Sequence, residues 1–192
     1  MNLRNKHLKI VCLLALTAFS LNVHAQNLQN LDQTEGVSIF KFGMDTSQIR
    51  EMELKPNNHS DLKNIGYFNY TGDALKTYFN IPVDQVLLYF YQNQLFRIDV
   101  NFGTSKKEYT LEQYNHIQQQ LEKAYGKENK KLAMSGAVLL GGFAWYGEKA
   151  QVSHTRHSYP TKHKKDNTIY GGVTFSHVSL TKQSVLAIYG KN

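Results

Sequence analysis

Cysteine is almost missing from this sequence. The only one is Cys12, and it lies inside an apolar run near the N-terminus rather than at its end. A lipoprotein signal would place its cysteine after small residues at the close of such a run, whereas Leu13-Leu14-Ala15-Leu16 continue beyond it. Proline is also scarce, with three residues in 192, of which only Pro82 and Pro160 lie beyond Lys63. No apolar run approaches the roughly 20 residues that a membrane-spanning helix needs. The usual signatures of chemistry are missing too. The chain contains no His-Glu-x-x-His, no Gly-x-Ser-x-Gly elbow, no glycine-rich phosphate loop with lysine and no EF-hand loop. No cofactor motif is present.

What is there begins with a secretory pattern. Arg4, Lys6 and Lys9 form a positive segment without acidic residues. An apolar stretch from Ile10 to Leu21 follows, and then Val23-His24-Ala25, a small-x-small sequence that predicts cleavage before Gln26. The expected mature protein is therefore periplasmic or secreted and free of cysteine, so disulfides cannot contribute to its stability. Residues 1–25 read as the signal peptide, 26–36 as a flexible lead-in and 37–192 as a single domain. Losing Arg4, Lys6 and Lys9 lowers the 22 basic residues to 19 against 15 acidic ones. That mild excess requires no nucleic acid as a partner. Another envelope or exported protein is the expected one.

The periodicities predict an α+β fold. Val37 to Phe42 reads as a first strand. Asp45 and Gln48 form a capping box that predicts a short helix with Ile49 and Met52 on one face. Gly66 to Thr71 reads as a strand, and Val86 to Phe102 as a hairpin broken at Gln92-Asn93-Gln94. In its second strand Phe96, Ile98, Val100 and Phe102 alternate with Arg97, Asp99 and Asn101. Thr110 to Tyr125 is the clearest helix, with a Thr110/Gln113 capping box, an apolar stripe through Leu111, Tyr114, Ile117 and Leu121, and Gly126 to end it. Glu112, Gln118, Gln119 and Lys123 are expected to face water. The stretches Val138–Tyr146, Ala150–His157, Tyr170–Leu180 and Ser184–Tyr189 have strand composition. This order predicts an antiparallel sheet with two helices packed on one face, possible also as two α-β-β-β units. The apolar side of the hairpin is expected to pack on the Leu111, Ile117 and Leu121 stripe, with Arg97 cheap to remove.

Candidate site residues fall into two groups. The 12 tyrosines, 10 phenylalanines and single tryptophan are dense in the predicted strands. Tyrosines left on an open sheet face offer rigid area with a polar tip, which suits protein binding. Tyr89, Tyr91, Arg97 and Trp145 are the candidate binding residues. The segment 153–166 brings His154, His157 and His163 together with Arg156, Lys162, Lys164 and Lys165. This group suits a metal or an anion, although the cations oppose a divalent ion and a spacing of three places His154 and His157 on opposite strand faces. His177, which alternates with Val173 and Phe175, is expected at the core or its rim.

The pattern Phe40-x-Phe42-Gly43 opening into a short helix, followed by Tyr91-x-x-x-x-Phe96-x-Ile98, resembles small exported α+β modules. These are the beta-lactamase-inhibitor-protein-like and BamE-like kinds, and the resemblance runs over the element order of residues 37–190. It implies a binding or inhibitory module and transfers no functional residue. The sequence thus leads to an exported, non-enzymatic binding module, possible as an inhibitor or immunity-type protein that masks a partner. The alternative is a small envelope hydrolase with a site built on His154, His157 and His177.

Overall fold

A computed structural model describes residues 30–54, 64–127, 130–133, 138–158 and 168–190. The signal segment and His163 lie outside these residues. The fold is α+β, built on one antiparallel sheet of eight strands. In chain order the elements are the short strands β1 (Gly36–Val37) and β2 (Phe40–Lys41), a 3-10 turn (Thr46–Gln48), β3 (Met52–Leu54), β4 (Ile65–Tyr70), and the short pair β5 (Thr77–Tyr78) and β6 (Ile81–Pro82). They continue with β7 (Gln85–Tyr91), β8 (Gln94–Phe102), helix α1 (Leu111–Tyr125), β9 (Lys130–Lys131), β10 (Val138–Tyr146), β11 (Ala150–Ser158), β12 (Ile169–His177) and helix α2 (Val178–Tyr189). The main sheet runs β3-β4-β7-β8-β12-β11-β10-β9. Among the described residues, no helix is long and apolar enough to cross a membrane.

Strand pairing divides the sheet cleanly into two faces. Side chains of directly paired residues lie on the same side, and neighbours along a strand lie on opposite sides. One face carries the row Phe68, Leu88, Ile98, Phe175, Val152 and Trp145, with Val86, Val100, Val173 and His154 in the next. These residues are buried, or packed against the buried ones, in the core with Ile117 and Leu121 of α1. This is the inner face. Thr110 caps α1 with both halves of the capping box formed, and Gly126 ends it at φ 78°, a conformation that favours glycine. The expected packing of Ile98, Val100 and Phe102 near the α1 stripe is thus found for Ile117 and Leu121, but Leu111 is 56 % exposed.

Four expectations are corrected. The first concerns Phe96. A bulge at the Tyr89–Phe90 step opposes Arg97 to Tyr89 but Leu95 to Phe90, so Leu95 joins the core cluster, while Phe96 is buried as expected but stays outside that cluster. The Phe96 ring instead lies edge-on to Tyr89, centroids 6.4 Å apart. An inserted residue is invisible to a period-two pattern. The second concerns the C-terminus, where 178–189 is helix rather than strand. His177 serves as its N-cap, its Nδ1 accepting the Leu180 N–H at 3.3 Å. Val-Ser-Leu and Ser-Val-Leu-Ala-Ile are short apolar runs that periodicity alone cannot assign.

The third concerns the segment after Asp45. The capping box forms, but the helix is a single 3-10 turn and Met52 already belongs to a strand. The fourth concerns the lead-in. Leu31 is fully buried in the core, and the Asp32 carboxylate accepts the backbone N–H groups of Lys149 and Ala150 at 2.7 and 3.4 Å. That clamp ties residues 31–32 to the β10–β11 turn. At the strand tips, Gln92 and Asn93 both have positive φ, the geometry of a tight two-residue hairpin turn.

Candidate functional site

The face opposite α1, the outer face, is built from the alternate residues of the same strands. One row runs Tyr67, Tyr89, Arg97, Ser176, Gln151 and Tyr146, and the next Asn69, Leu87, Asp99, Thr174, Ser153 and Ala144. At its centre Arg97 donates from Nε and Nη2 to the two Asp99 carboxylate oxygens, both at 2.8 Å. The Thr174 hydroxyl donates to the same carboxylate at 2.8 Å, and Tyr89 also hydrogen-bonds it. The Arg97 side chain remains 41 % exposed over an Asp99 that is 9 % exposed. The guanidinium carbon sits 4.8 Å from the centre of the Tyr89 ring, and Tyr67 lies against that ring at 4.9 Å.

Electrostatics lock this group in one state. Burial works against the Arg97 charge, but the adjacent Asp99 carboxylate more than offsets it and holds the guanidinium above its ordinary pKa. Burial, followed by the Asp99 charge, pushes the Tyr89 phenol far up, so it stays a neutral donor. The Asp99 carboxylate and the Tyr89 ring together fix the guanidinium in one orientation.

The other sequence-derived candidates fall elsewhere. Tyr91 is buried, and Trp145 is completely so, its indole N–H donating to the Gly126 carbonyl at 2.8 Å. Neither presents a surface, which corrects their assignment as binding residues. Trp145 belongs to the core cluster, whereas Tyr91 is buried outside it. Tyr67, not singled out from the sequence, joins the site because β4 pairs with β7 in register with Tyr89. The alternation Tyr67-Phe68-Asn69-Tyr70 carried that signal. Arg97 and Asp99, opposite charges two apart in a strand, likewise signalled a same-face pair.

His154 is also corrected. It lies fully buried on the inner face, stacked on Tyr114 with centroids 4.3 Å apart. Its Nε2 is 2.8 Å from the Tyr109 hydroxyl and its Nδ1 is 2.9 Å from Gln118 Oε1. The amide oxygen can only accept, so Nδ1 carries the proton and Nε2 accepts from Tyr109. Gln118, expected in water, is buried to make this bond and passes it on to Glu122 at 2.9 Å. Burial pulls the His154 pKa down to about 3, which keeps the ring neutral.

Arg156, grouped with these histidines in the sequence, is engaged elsewhere. It donates to the Tyr109 carbonyl and to Glu108, both at 2.9 Å. His157 pairs with Tyr170 on the outer face, opposite to His154. His177 pairs with Ala150, four residues and so about 13 Å along β11 from His154. The three imidazoles therefore share no first shell, which removes the hydrolase site drawn on them. Among the described residues, no group of three or more metal-ligating side chains gathers.

Comparison of the chain with protein-family models, with curated proteins and with solved structures finds no match.

Proposed function

We propose that this protein is an exported binding module that masks or recruits another envelope or exported protein through the outer sheet face, in the manner of an inhibitor or immunity protein. The observation that carries this reading is the Tyr67–Tyr89–Arg97–Asp99–Thr174 cluster. Tyrosine and arginine are the residue types that dominate binding energy at protein interfaces, where rigid, desolvated anchors lose little entropy on association. The leader pattern of residues 1–25 supports work outside the cytoplasm. The element-order resemblance to exported inhibitory modules supports the same class. The separation of His154, His157 and His177 in the fold favours the binding reading over a histidine-based hydrolase.

The strand order also supports a reading as two α-β-β-β units. Each half is a meander that runs from the sheet edge to the centre and ends in β8 or β12. The Thr46–Gln48 turn introduces one half and α1 the other, as helical parts intended for one face.

The test is expression of the full chain with a C-terminal tag, followed by fractionation and affinity capture. The expected product begins at Gln26 and lies outside the cytoplasm. It recovers a partner protein that an Arg97→Glu, Tyr67→Ala double variant fails to recover. Retention of residues 1–25 on cytoplasmic protein would overturn the export half. Equal capture by the folded double variant would overturn the assignment of the face.

A further inference from the structure

The junction of β12 and α2 carries a titratable helix cap. β12 passes into α2 without a loop, His177 being the last residue of the strand and Val178 the first of the helix. His177 Nδ1 accepts the Leu180 N–H at 3.3 Å, and the Val178 N–H donates to the Lys149 carbonyl at 2.8 Å. A backbone N–H can only donate, so the cap needs a lone pair on Nδ1, and the proton of the neutral ring sits on Nε2. We propose that α2 is an acid-released arm: protonation of His177 at Nδ1 removes the cap, and the helix loosens from the sheet as pH falls. The inference is independent of the reading of the outer face as a binding surface.

The packing of α2 makes it the element that such a loss can release. It has 12 residues, a length at which an isolated helix is marginal in water, so its order depends on tertiary contacts. Those contacts are inverted. Ser184 is its one buried residue, and the Ser184 hydroxyl donates back to the Thr181 carbonyl at 2.8 Å. Thr181 Oγ1 is buried with no hydrogen-bond partner among the described residues. Val185, Leu186 and Tyr189, the side chains suited to seat a helix on a core, are exposed. Little apolar burial and an unmade hydrogen bond offset little of the entropy lost on ordering the helix. The cap is then a large share of what holds the first turn.

Protonation acts twice on this cap. It turns the acceptor into a donor facing a donor, and it places a positive charge at the helix N-terminus, where the helix dipole favours a negative one. The imidazole lies on the inner face, paired by register with Ala150 and edge-on to the Phe42 ring at 5.7 Å. In the cleft it lines, the charged groups among the described residues are Asp32 and Glu35 of the lead-in and Lys149 of the β10–β11 turn. The carboxylates favour an imidazolium and the lysine opposes it, but Asp32 is already held by the Lys149 and Ala150 N–H groups. β1 packs on β12 with Gly36 and Val37, which carry no charge. Arg97 of β8 pairs with Ser176 and so lies on the opposite face, and Lys182 of α2 sits beyond the first turn. Burial pulls the His177 pKa below its ordinary 6.5. The neutral cap is therefore fully present above pH 6.5 and is lost as pH falls through the lower folded value.

The test is amide hydrogen exchange of the protein as purified from the producing cells, between about pH 7.5 and 4.5, with each rate divided by its intrinsic value at that pH. The His177 ring signals are titrated by NMR over the same range. Protection of the Leu186, Ala187 and Ile188 amides should fall about tenfold, with the midpoint of the His177 ring. His177→Asn keeps an acceptor at the cap at every pH, so its α2 protection should stay level. His154 is present in both proteins, so its own acid response cancels in the comparison. His177→Ala should show near neutral pH the lowered protection that the wild type reaches in acid. Thermal melts establish that both variants are folded, and the coincidence of the two wild-type midpoints stands without them. Level α2 protection in the wild type, a fall that does not follow the His177 ring, or an equal fall in folded His177→Asn would each overturn the proposal.

Discussion

The two faces of one sheet use the same kinds of residue to opposite ends. On the inner face, tyrosine, histidine and glutamine close on one another in the chain Tyr109–His154–Gln118–Glu122, with α1 and the aromatic core around them. On the outer face, tyrosine, arginine, aspartate and threonine also satisfy one another, but about two-fifths of the arginine side chain stays exposed. The difference is one of cover. A polar network sealed under a helix makes the core unique, since any unpaired member costs its full desolvation. The outer network is instead only partly covered: Asp99 is buried while the Arg97 side chain remains partly accessible.

The sharpest way to break this contrast is to empty the inner face. Trp145→Ala should cost about 3–5 kcal/mol and Ile98→Ala about 2–5, measured by denaturant unfolding. Without disulfides, either loss is a large share of a typical 5–15 kcal/mol. A cost below about 1 kcal/mol for both would mean that the inner face is not the core.

The next test is acid. Because the folded pKa of His154, about 3, lies below the ordinary 6.5, its neutral form stabilises the fold fully above pH 6.5. That contribution shrinks as pH falls towards 3, reaching a loss of about 4 kcal/mol there. Unfolding free energies of wild type and His154→Gln from pH 7 to 3.5 should show the wild type falling more steeply. Parallel curves would place the imidazole in water.

On the outer face the effects shrink. Arg97→Ala leaves a nearly buried Asp99 with only its hydroxyl donors, so about 1–3 kcal/mol should be lost. The double variant Arg97→Ala, Asp99→Ala should recover part of that loss. This exceeds the negligible cost that a solvent-facing arginine suggests from sequence. The smallest stability change belongs to Tyr67→Ala, expected within about 1 kcal/mol in thermal melts, while partner capture should drop sharply. Tyr67→Ala that melts many degrees lower with capture intact would reverse the roles of the two faces.

Several features were legible residue by residue. The Thr110/Gln113 box, the Ile117–Leu121 stripe and Gly126 define α1, since capping and 3.6-residue periodicity are local properties. The runs Val86–Tyr91 and Val138–Tyr146 give strands for the same reason, and the same-face placement of Arg97 with Asp99 follows from alternation alone. The sequence by itself thus determined the α+β class, the main strands, α1 and half of the outer-face cluster. Only the tertiary structure decided the rest. The bulge that exchanges Phe96 for Leu95 in the core cluster is set by the register against β7. The burial of Gln118, Tyr91 and Trp145 is set by what lies across from them. Thr174 reaches Asp99, and Tyr67 reaches Tyr89, only because distant strands become neighbours. Local patterns record which side of its own element a residue faces; whether that side meets water, a helix or a hydrogen-bond partner depends on contacts between elements far apart in the chain.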